Sequence, residues 1–204
     1  LDAVVGSAYR NPIDPATGQK SPTDDNWYDL DILREAVVAL GLADAVAGLD
    51  GATVFAPNDM AFRHLVADLT NTPASELDES EVLAALVAIA SDPAPLNGTP
   101  FTGAAALTQT VLYHVSPEAV RNLRPRVKGG PIPTLTTLPD ALPGVAVGTL
   151  NPYTFRNRVY LGDGDANDRD PQYARFTVKA SNGTVHHIDG VLRPLDLVAL
   201  FPGD

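Results

Sequence analysis

The spacing of apolar residues predicts helices in the first half of the chain. An amphipathic stretch over 29–49 carries apolar residues at helical intervals, at Leu30, Leu33, Val37 and Leu40. Asp29 is in position to cap this helix at its N-terminus. Gly41 predicts the end of the helix, and a second short helix is expected to follow.

Capping residues predict further helices. Asn58 precedes an apolar pattern of helical period, and Asp78 with Glu81 three positions later resembles a capping box. The residues expected on the buried face of the helix after Asn58 are Phe62, Leu65, Val66 and Leu69. The capping box introduces a helix over 82–90, and another helical pattern covers 104–113.

Short runs of β-branched and aromatic residues predict strands, one early in the chain and several late. The early strand covers 52–56 and ends at Pro57. The late strands are expected over 145–150, 153–161, 176–180 and 184–188. Asn182-Gly183 lies between the last two and predicts a tight hairpin turn with positive φ. Helices before strands, without a linker-like break, indicate a single α+β domain over 1–204.

Composition and charge narrow the possible partners. The 204 residues are 45% hydrophobic, with a formal net charge of −11. This acidity argues against nucleic acid and against anionic membrane surfaces, which both require concentrated basic residues. No apolar run reaches the length of a membrane span, so we expect no direct membrane insertion. The absence of cysteine excludes disulfides and thiolate metal sites.

An acidic segment, LGDGDANDRDPQY over 161–173, has a partial calcium-loop pattern. Asp163, Asp165 and Asn167 alternate like the first three ligands of such a loop. The similarity to an EF-hand then ends, because Asp168 stands where glycine is required. Two interpretations remain open, a calcium site and a solvated acidic connection between strands. Calcium is the one cofactor that the sequence suggests, and otherwise none is expected.

Residues for catalysis are not selected by any pattern. Ser181, His186 and Asp189 are the one local trio with the residue types of a hydrolytic relay, and no GxSxG turn frames the serine. One basic cluster interrupts the acidic chain, formed by Arg121, Arg124, Arg126 and Lys128. It is either a solvated face or a site for an acidic partner.

Three segments, in the same order along the chain, resemble the signatures of fasciclin (FAS1) domains. TVFAPNDMAFRHL over 53–65 is similar to the first signature of that family. VLYHVSP over 111–117 is similar to its Tyr-His motif, and ASNGTVHHIDGVLRP over 180–194 to its second signature. The similarity extends over nearly the whole chain as one domain.

The resemblance implies a wedge of two β-sheets with a helical layer formed mostly by the first half of the chain. Within the motifs it implies structural roles for Thr53, Phe55, Pro57, Asn58, Asn182, Gly183, His186 and Asp189. For Tyr113, His114 and Val115 two roles remain open. They either belong to the scaffold or are partly exposed and contact a partner.

The function that the resemblance implies is adhesion or matrix binding without catalysis, outside the cell or at its surface. The expected partner is a protein or a polysaccharide surface, or a second copy of the chain. A signal segment is expected outside the sequence given. A small-ligand-binding or hydrolytic protein on the same fold remains an alternative, which a deep pocket joining His114 or His186 with carboxylates would favour. A structural spacer in a longer surface protein is another.

Overall fold

The structure is a computed structural model that describes residues 24, 26–97, 99, 101–137 and 148–201. The helices in the first half of this part match the predicted apolar patterns. They are α1 (Asp31–Ala39), α2 (Ala43–Ala47), α3 (Asp59–Thr70), α4 (Glu79–Ser91) and α5 (Gly103–Tyr113). A short 3₁₀ turn at Ala74–Glu76 lies between α3 and α4. None of the described helices is long and apolar enough to span a membrane.

The strands form two sheets, and two one-turn helices complete the second half. The strands are β1 (Ala52–Pro57), β2 (Val115–Ser116), β3 (Ile132–Pro133), β4 (Thr149–Phe155), β5 (Arg158–Gly162), β6 (Tyr173–Ala180) and β7 (Gly183–Ile188). The short helices are α6 (Leu123–Arg126) and α7 (Leu197–Leu200). One sheet has the order β2-β1-β7-β6, with β1 parallel to β7, and the other has the order β3-β4-β5. The expected α+β fold with two sheets is confirmed.

The helix ends that short sequence patterns predicted are confirmed. The Asn58 side chain accepts a hydrogen bond from the Ala61 N–H at 3.0 Å and caps α3. Asp78 and Glu81 form the reciprocal bonds of a capping box at the start of α4. Gly41 follows α1 with a φ of 68°, a conformation that glycine adopts without steric cost. In each case the sequence pattern identified the residue because the contact is local.

The start of α1 differs from the prediction. Asp29 does not cap α1, because the helix begins at Asp31 and its N-cap position, Leu30, has no capping side chain. The carboxylate of Asp59, at the start of α3, accepts bonds from the N–H groups of Asp31 at 3.2 Å and Ile32 at 3.0 Å. A tertiary contact thus satisfies the free N–H groups that a local side chain was expected to satisfy.

The predicted strand over 153–161 is wrong in its continuity. It is a hairpin in which β4 and β5 pair across a two-residue turn, with Phe155 opposite Arg158. Arg156 and Asn157 have φ values of 46° and 62°, and two successive positive φ angles are typical of a type I′ hairpin turn. Residues 145–147 of the strand expected over 145–150 lie outside the described residues, and β4 begins at Thr149.

The hairpin predicted at Asn182-Gly183 is confirmed, but its backbone conformation is not as expected. Ala180 pairs with Gly183, so the turn residues are Ser181 and Asn182, and neither Asn182 nor Gly183 has a positive φ. Glycine is required here for another reason. A Cβ on Gly183 would lie 2.5 Å from the carbonyl oxygen of Ala52 on the adjacent β1.

Gly183→Ala should therefore lower the free energy of unfolding by about 2 kcal/mol, because backbone must shift to admit the methyl group. Urea unfolding of the variant and the wild type measures the difference. Gly48→Ala is the control, since Gly48 has helical dihedral angles and a methyl group at that position would approach no atom closer than 3.3 Å. A Gly183→Ala variant as stable as the control would contradict the close approach.

Two apolar clusters hold the layers together. The first lies between α1, α3, α4 and one face of the larger sheet, with its centre at Ile32, Leu65, Val66 and Val82. The second lies between the two sheets, and its fully buried members are Phe55, Tyr113, Leu123, Ile132, Leu150, Leu161, Ile188 and Leu192. The Tyr-His motif and both signature segments therefore contribute to the interior.

Candidate functional site

The Tyr-His motif is buried, which favours the scaffold role over partial exposure, the two roles that the sequence left open. Tyr113, His114 and Val115 all lie in the interior, so these side chains do not form a surface for a partner. The Tyr113 hydroxyl donates a hydrogen bond to the carbonyl of Thr149 at 2.8 Å, which ties α5 to β4. Burial of the apolar ring is favourable, and this bond gives the hydroxyl a hydrogen-bond partner.

His114 connects two backbone segments through its ring. Nδ1 lies 2.7 Å from the carbonyl of Thr110, and Nε2 lies 2.9 Å from the backbone N–H of Leu192. Because a carbonyl accepts and an N–H donates, Nδ1 carries the proton and Nε2 accepts. Burial lowers the pKa of His114 to about 4, so the ring is neutral at physiological pH.

His186 lies between aromatic rings in the second signature. Nε2 lies 2.6 Å from the Val120 carbonyl, and Nδ1 lies 2.8 Å from the Thr177 hydroxyl. The ring stacks on Phe55 with centroids 5.8 Å apart and meets the Tyr173 ring edge-on at 5.4 Å. Both nitrogens are thus used within the scaffold, and burial lowers the pKa of the ring below its usual value.

The remaining motif residues also make backbone contacts. The Thr53 hydroxyl donates to the Glu118 carbonyl and accepts from the N–H of Val120. The Asn182 side chain donates to the carbonyls of Ala47 and Leu49, and Pro57 is buried at the end of β1.

The trio with the residue types of a hydrolytic relay is not connected. Asp189 accepts a bond from the N–H of Gln172 at 2.7 Å and forms an ion pair with Arg169. His186 has both ring nitrogens engaged elsewhere, and Ser181 is exposed in the turn between β6 and β7. These three side chains do not provide the nucleophile–base contact that a relay needs.

The acidic loop uses its carboxylates to hold its own backbone. Asp163 accepts from the N–H groups of Asp165 at 3.0 Å and Arg193 at 2.8 Å. Asp165 accepts from the N–H of Asn167 at 2.9 Å, and the Asn167 amide donates to Asp196. These contacts are those of a turn stabilised by aspartates. They do not support the calcium site predicted for this loop, which stays a prediction.

Arg193, from outside the loop, pairs with two of its aspartates, and the sequence pattern did not reveal this contact. Its side chain is 7% exposed, and its guanidinium lies 3.1 Å from a carboxylate oxygen of Asp168 and 3.6 Å from one of Asp165. A third contact, of 2.5 Å, reaches Asp68 on α3. Burial nevertheless raises the pKa of Asp163 to about 8 and that of Asp168 to about 6.

An open groove of about 1160 Å³ lies between α3 and the acidic loop. Its polar lining includes His64, Asp68, Arg169, Asp189 and Arg193. His114 and His186, which a small-ligand pocket was expected to gather, are absent from the described lining. The groove therefore lacks the feature that would have favoured the ligand-binding or hydrolytic alternative.

Exposed aromatic side chains share one face of the β4–β5 hairpin. Tyr153 and Tyr160 are paired across the strands, and their rings stack with centroids 5.4 Å apart. Phe155 follows two positions after Tyr153, so it lies on the same face, and it is 55% exposed. The guanidinium of Arg156 lies 5.1 Å from the centre of the Phe155 ring, within the range of a cation–π contact.

The predicted basic cluster reaches this hairpin through one residue. Arg124 on α6 donates to the side chain and to the carbonyl of Asn157, both at 3.2 Å. Arg158 pairs with Phe155 across the two strands and therefore lies on the same face of the hairpin. Its guanidinium donates to Gln172. We call this face, together with the adjoining Arg124 and the turn residue Arg156, the basic aromatic surface. Its members are Arg124, Tyr153, Phe155, Arg156 and Arg158.

Comparison with known proteins places the chain in a family. No curated protein gives a significant match. Among solved structures, the chain is similar to a FAS1 domain pair from the insect cell adhesion molecule fasciclin I, at 16% identity and a TM-score of 0.43. That match covers 79% of this chain and 44% of the insect chain, so this chain spans less than half of it. The Fasciclin domain profile matches residues 28–194. With that match covering most of its length, the chain belongs to the fasciclin (FAS1) domain family.

Proposed function

We propose that this chain is a non-catalytic adhesion module, extracellular or at the cell surface, that binds an acidic protein surface through the basic aromatic surface. Domains of this family are generally extracellular modules related to adhesion. The observation that carries the proposal is the exposure of Phe155 beside arginine side chains. The ring of Phe155 is more than half exposed, so it is available to a partner, and the arginines beside it distinguish it from the equally exposed Phe176.

The residue types of this surface are those of a binding site. Aromatic residues and arginine are enriched at protein interfaces, where a few of them supply most of the binding energy. The stacked pair of Tyr153 and Tyr160 is held in place before binding, which limits the entropy lost on association. The contacts of Arg124 with Asn157 likewise hold the turn of the hairpin.

Local charge favours an acidic partner. The chain as a whole carries a net charge of −11, while Arg124, Arg156 and Arg158 concentrate positive charge at one end of the smaller sheet. An acidic surface would be steered to this end by attraction and away from the rest of the molecule by repulsion. An acidic surface on a second copy of the chain has the same charge complementarity to the basic aromatic surface.

Phe155→Ala should abolish or strongly reduce binding and leave thermal stability unchanged, because the ring is exposed. Binding is measured by biolayer interferometry against immobilised collagen, fibronectin, laminin, acidic polysaccharides and the domain itself. Phe176→Ala is the matched control, since Phe176 is also 55% exposed but lies on β6 of the other sheet. We expect at least a tenfold loss for the first variant, about 1.4 kcal/mol, and none for the second.

Equal binding by the two variants would contradict the proposed surface. Binding restricted to acidic polysaccharides would keep the surface and replace the protein partner by a glycan. Retention on the immobilised domain alone would identify a second copy as the partner. Binding to none of the probes would favour the role of a structural spacer.

A further inference from the structure

A second cluster of acidic side chains lies among the helices, where the segment before α1 meets the N-termini of α3 and α4. Asp29, Asp59 and Glu79 each offer one carboxylate oxygen, and these three oxygens lie within 4.8 Å of one another. Asp29 precedes α1, while Asp59 and Glu79 are the first residues of α3 and α4. All three side chains are buried.

Two oxygens of this cluster have no partner in the described part of the chain. Oε1 of Glu79 and Oδ1 of Asp29 accept no hydrogen bond, although the residues are only 2% and 4% exposed. The other oxygen of each is satisfied, by the Asp24 N–H at 2.8 Å and the Asn26 amide at 2.9 Å. A buried carboxylate oxygen without a donor is costly unless a bound cation compensates its charge or the carboxyl pair shares a proton.

No basic residue of the described part of the chain compensates the cluster. Among the described residues, no lysine, arginine or histidine forms an ion pair with Asp29, Asp59 or Glu79. Up to three negative charges therefore gather where water is excluded. The N-termini of α3 and α4 offset part of this charge through their dipoles, but each contributes only about half a unit.

We propose that Asp29, Asp59 and Glu79 form a calcium site that joins the segment before α1 to the first turns of α3 and α4. Calcium bonds oxygens at about 2.4 Å, so two ligands on opposite sides of the ion lie about 4.8 Å apart. The three oxygens lie within this distance of one another, so a single ion could contact all of them. Asp24 and Asp31, which lie within the same distance of Asp29, extend the oxygen-rich environment.

The donor set favours calcium over other divalent ions. It consists of carboxylates alone, without the sulfur or imidazole ligands that zinc and copper prefer. Magnesium requires a compact octahedron with bonds of about 2.1 Å and retains its water shell, which suits a buried carboxylate cage poorly.

The test is a titration of calcium chloride into protein stripped with a chelator, followed by isothermal calorimetry at neutral pH. We expect one bound ion per chain and a melting temperature that rises by about 5 °C or more when calcium exceeds its dissociation constant a hundredfold. Glu79→Gln and Asp29→Asn remove charge without removing volume. Each should weaken calcium binding at least tenfold, a change expected from the loss of one ligand charge.

Two controls separate this site from other acids. Asp50→Asn changes an exposed acid and should leave the affinity unchanged. Asp163→Asn changes the acidic loop and should also leave it unchanged. Magnesium chloride should bind at least tenfold more weakly than calcium, and circular dichroism verifies that each variant is folded.

Three results would overturn the proposal. The first is no calcium heat from the wild type at about 2 mM calcium, within the range of extracellular modules. It would mean that Asp29 and Asp59 share a proton instead. The second is an unchanged affinity in both Glu79→Gln and Asp29→Asn. The third is a loss of binding in Asp163→Asn alone, which would mean that calcium binds the acidic loop.

Discussion

Replacing Arg193 with methionine should lower the free energy of unfolding by about 3 to 5 kcal/mol, the usual cost of removing one partner from a buried ionic network. Methionine preserves most of the apolar volume of the side chain and removes the charge. Asp165 and Asp168 would then remain buried or half-buried beside Asp163 without the guanidinium that pairs with them. Urea unfolding at neutral pH measures the difference.

Arg169→Met is the matched control for this prediction. Arg169 also pairs with an aspartate, Asp189, but its side chain is 65% exposed, so its ion pair should contribute less than about 1 kcal/mol. The free energy of unfolding of Arg193→Lys should lie between those of Arg193→Met and Arg169→Met. Lysine keeps the charge but lacks the planar guanidinium that reaches several carboxylates. Similar stabilities for Arg193→Met and Arg169→Met would contradict the central role of Arg193.

The second large effect is the dependence of stability on pH through His114. Burial lowers the pKa of this ring from an ordinary value of about 6.5 to about 4, so between these values the unfolded chain binds a proton that the folded chain does not. The contribution of His114 is complete above pH 6.5 and is lost as pH falls toward 4. A difference of about 2.5 pKa units corresponds to about 3 kcal/mol.

The measurement compares wild type and His114→Gln by urea unfolding from pH 7.5 to pH 4.5. Other groups, including the acids whose pKa burial raises, titrate in both proteins and cancel in the difference. The variant should be less stable at pH 7.5, and the gap should narrow steadily as the pH falls. His64→Gln, at an exposed position on α3, should keep the wild-type slope. A gap independent of pH would mean that His114 titrates normally in the folded protein.

Contacts that are local in sequence were predictable from it. Asn58 caps α3, and Asp78 with Glu81 caps α4, since each cap involves residues only three positions apart. The cap of α1 was not predictable in this way. Its acceptor, Asp59, lies 28 and 27 residues from the N–H groups that it binds, and no local pattern indicates that approach.

The same distinction explains the functional residues. Tyr153 and Phe155 alternate along a predicted strand, so the sequence could place them on one face but not determine that this face is exposed. A single turn at Arg156 and Asn157 folds the strand back. This turn was not predictable, because arginine is not a residue type that indicates a positive φ. Arg193 is one residue in a motif, and only the folded chain brings it to Asp68 and the acidic loop.

The parallel pairing of β1 with β7 has a consequence for the synthesis of this protein. The Asn182 side chain that fastens the start of β7 bonds to carbonyls 133 and 135 residues earlier in the chain. The central strand pair therefore cannot form until the ribosome has translated most of the domain. Contacts so distant in sequence make folding slow, and until β7 arrives β1 has an unpaired edge. A nascent chain that ends before Gly183 has the helices α1 to α6 and all strands of the smaller sheet but cannot complete the larger sheet. Its helical half is therefore expected to depend on protection from aggregation until translation finishes.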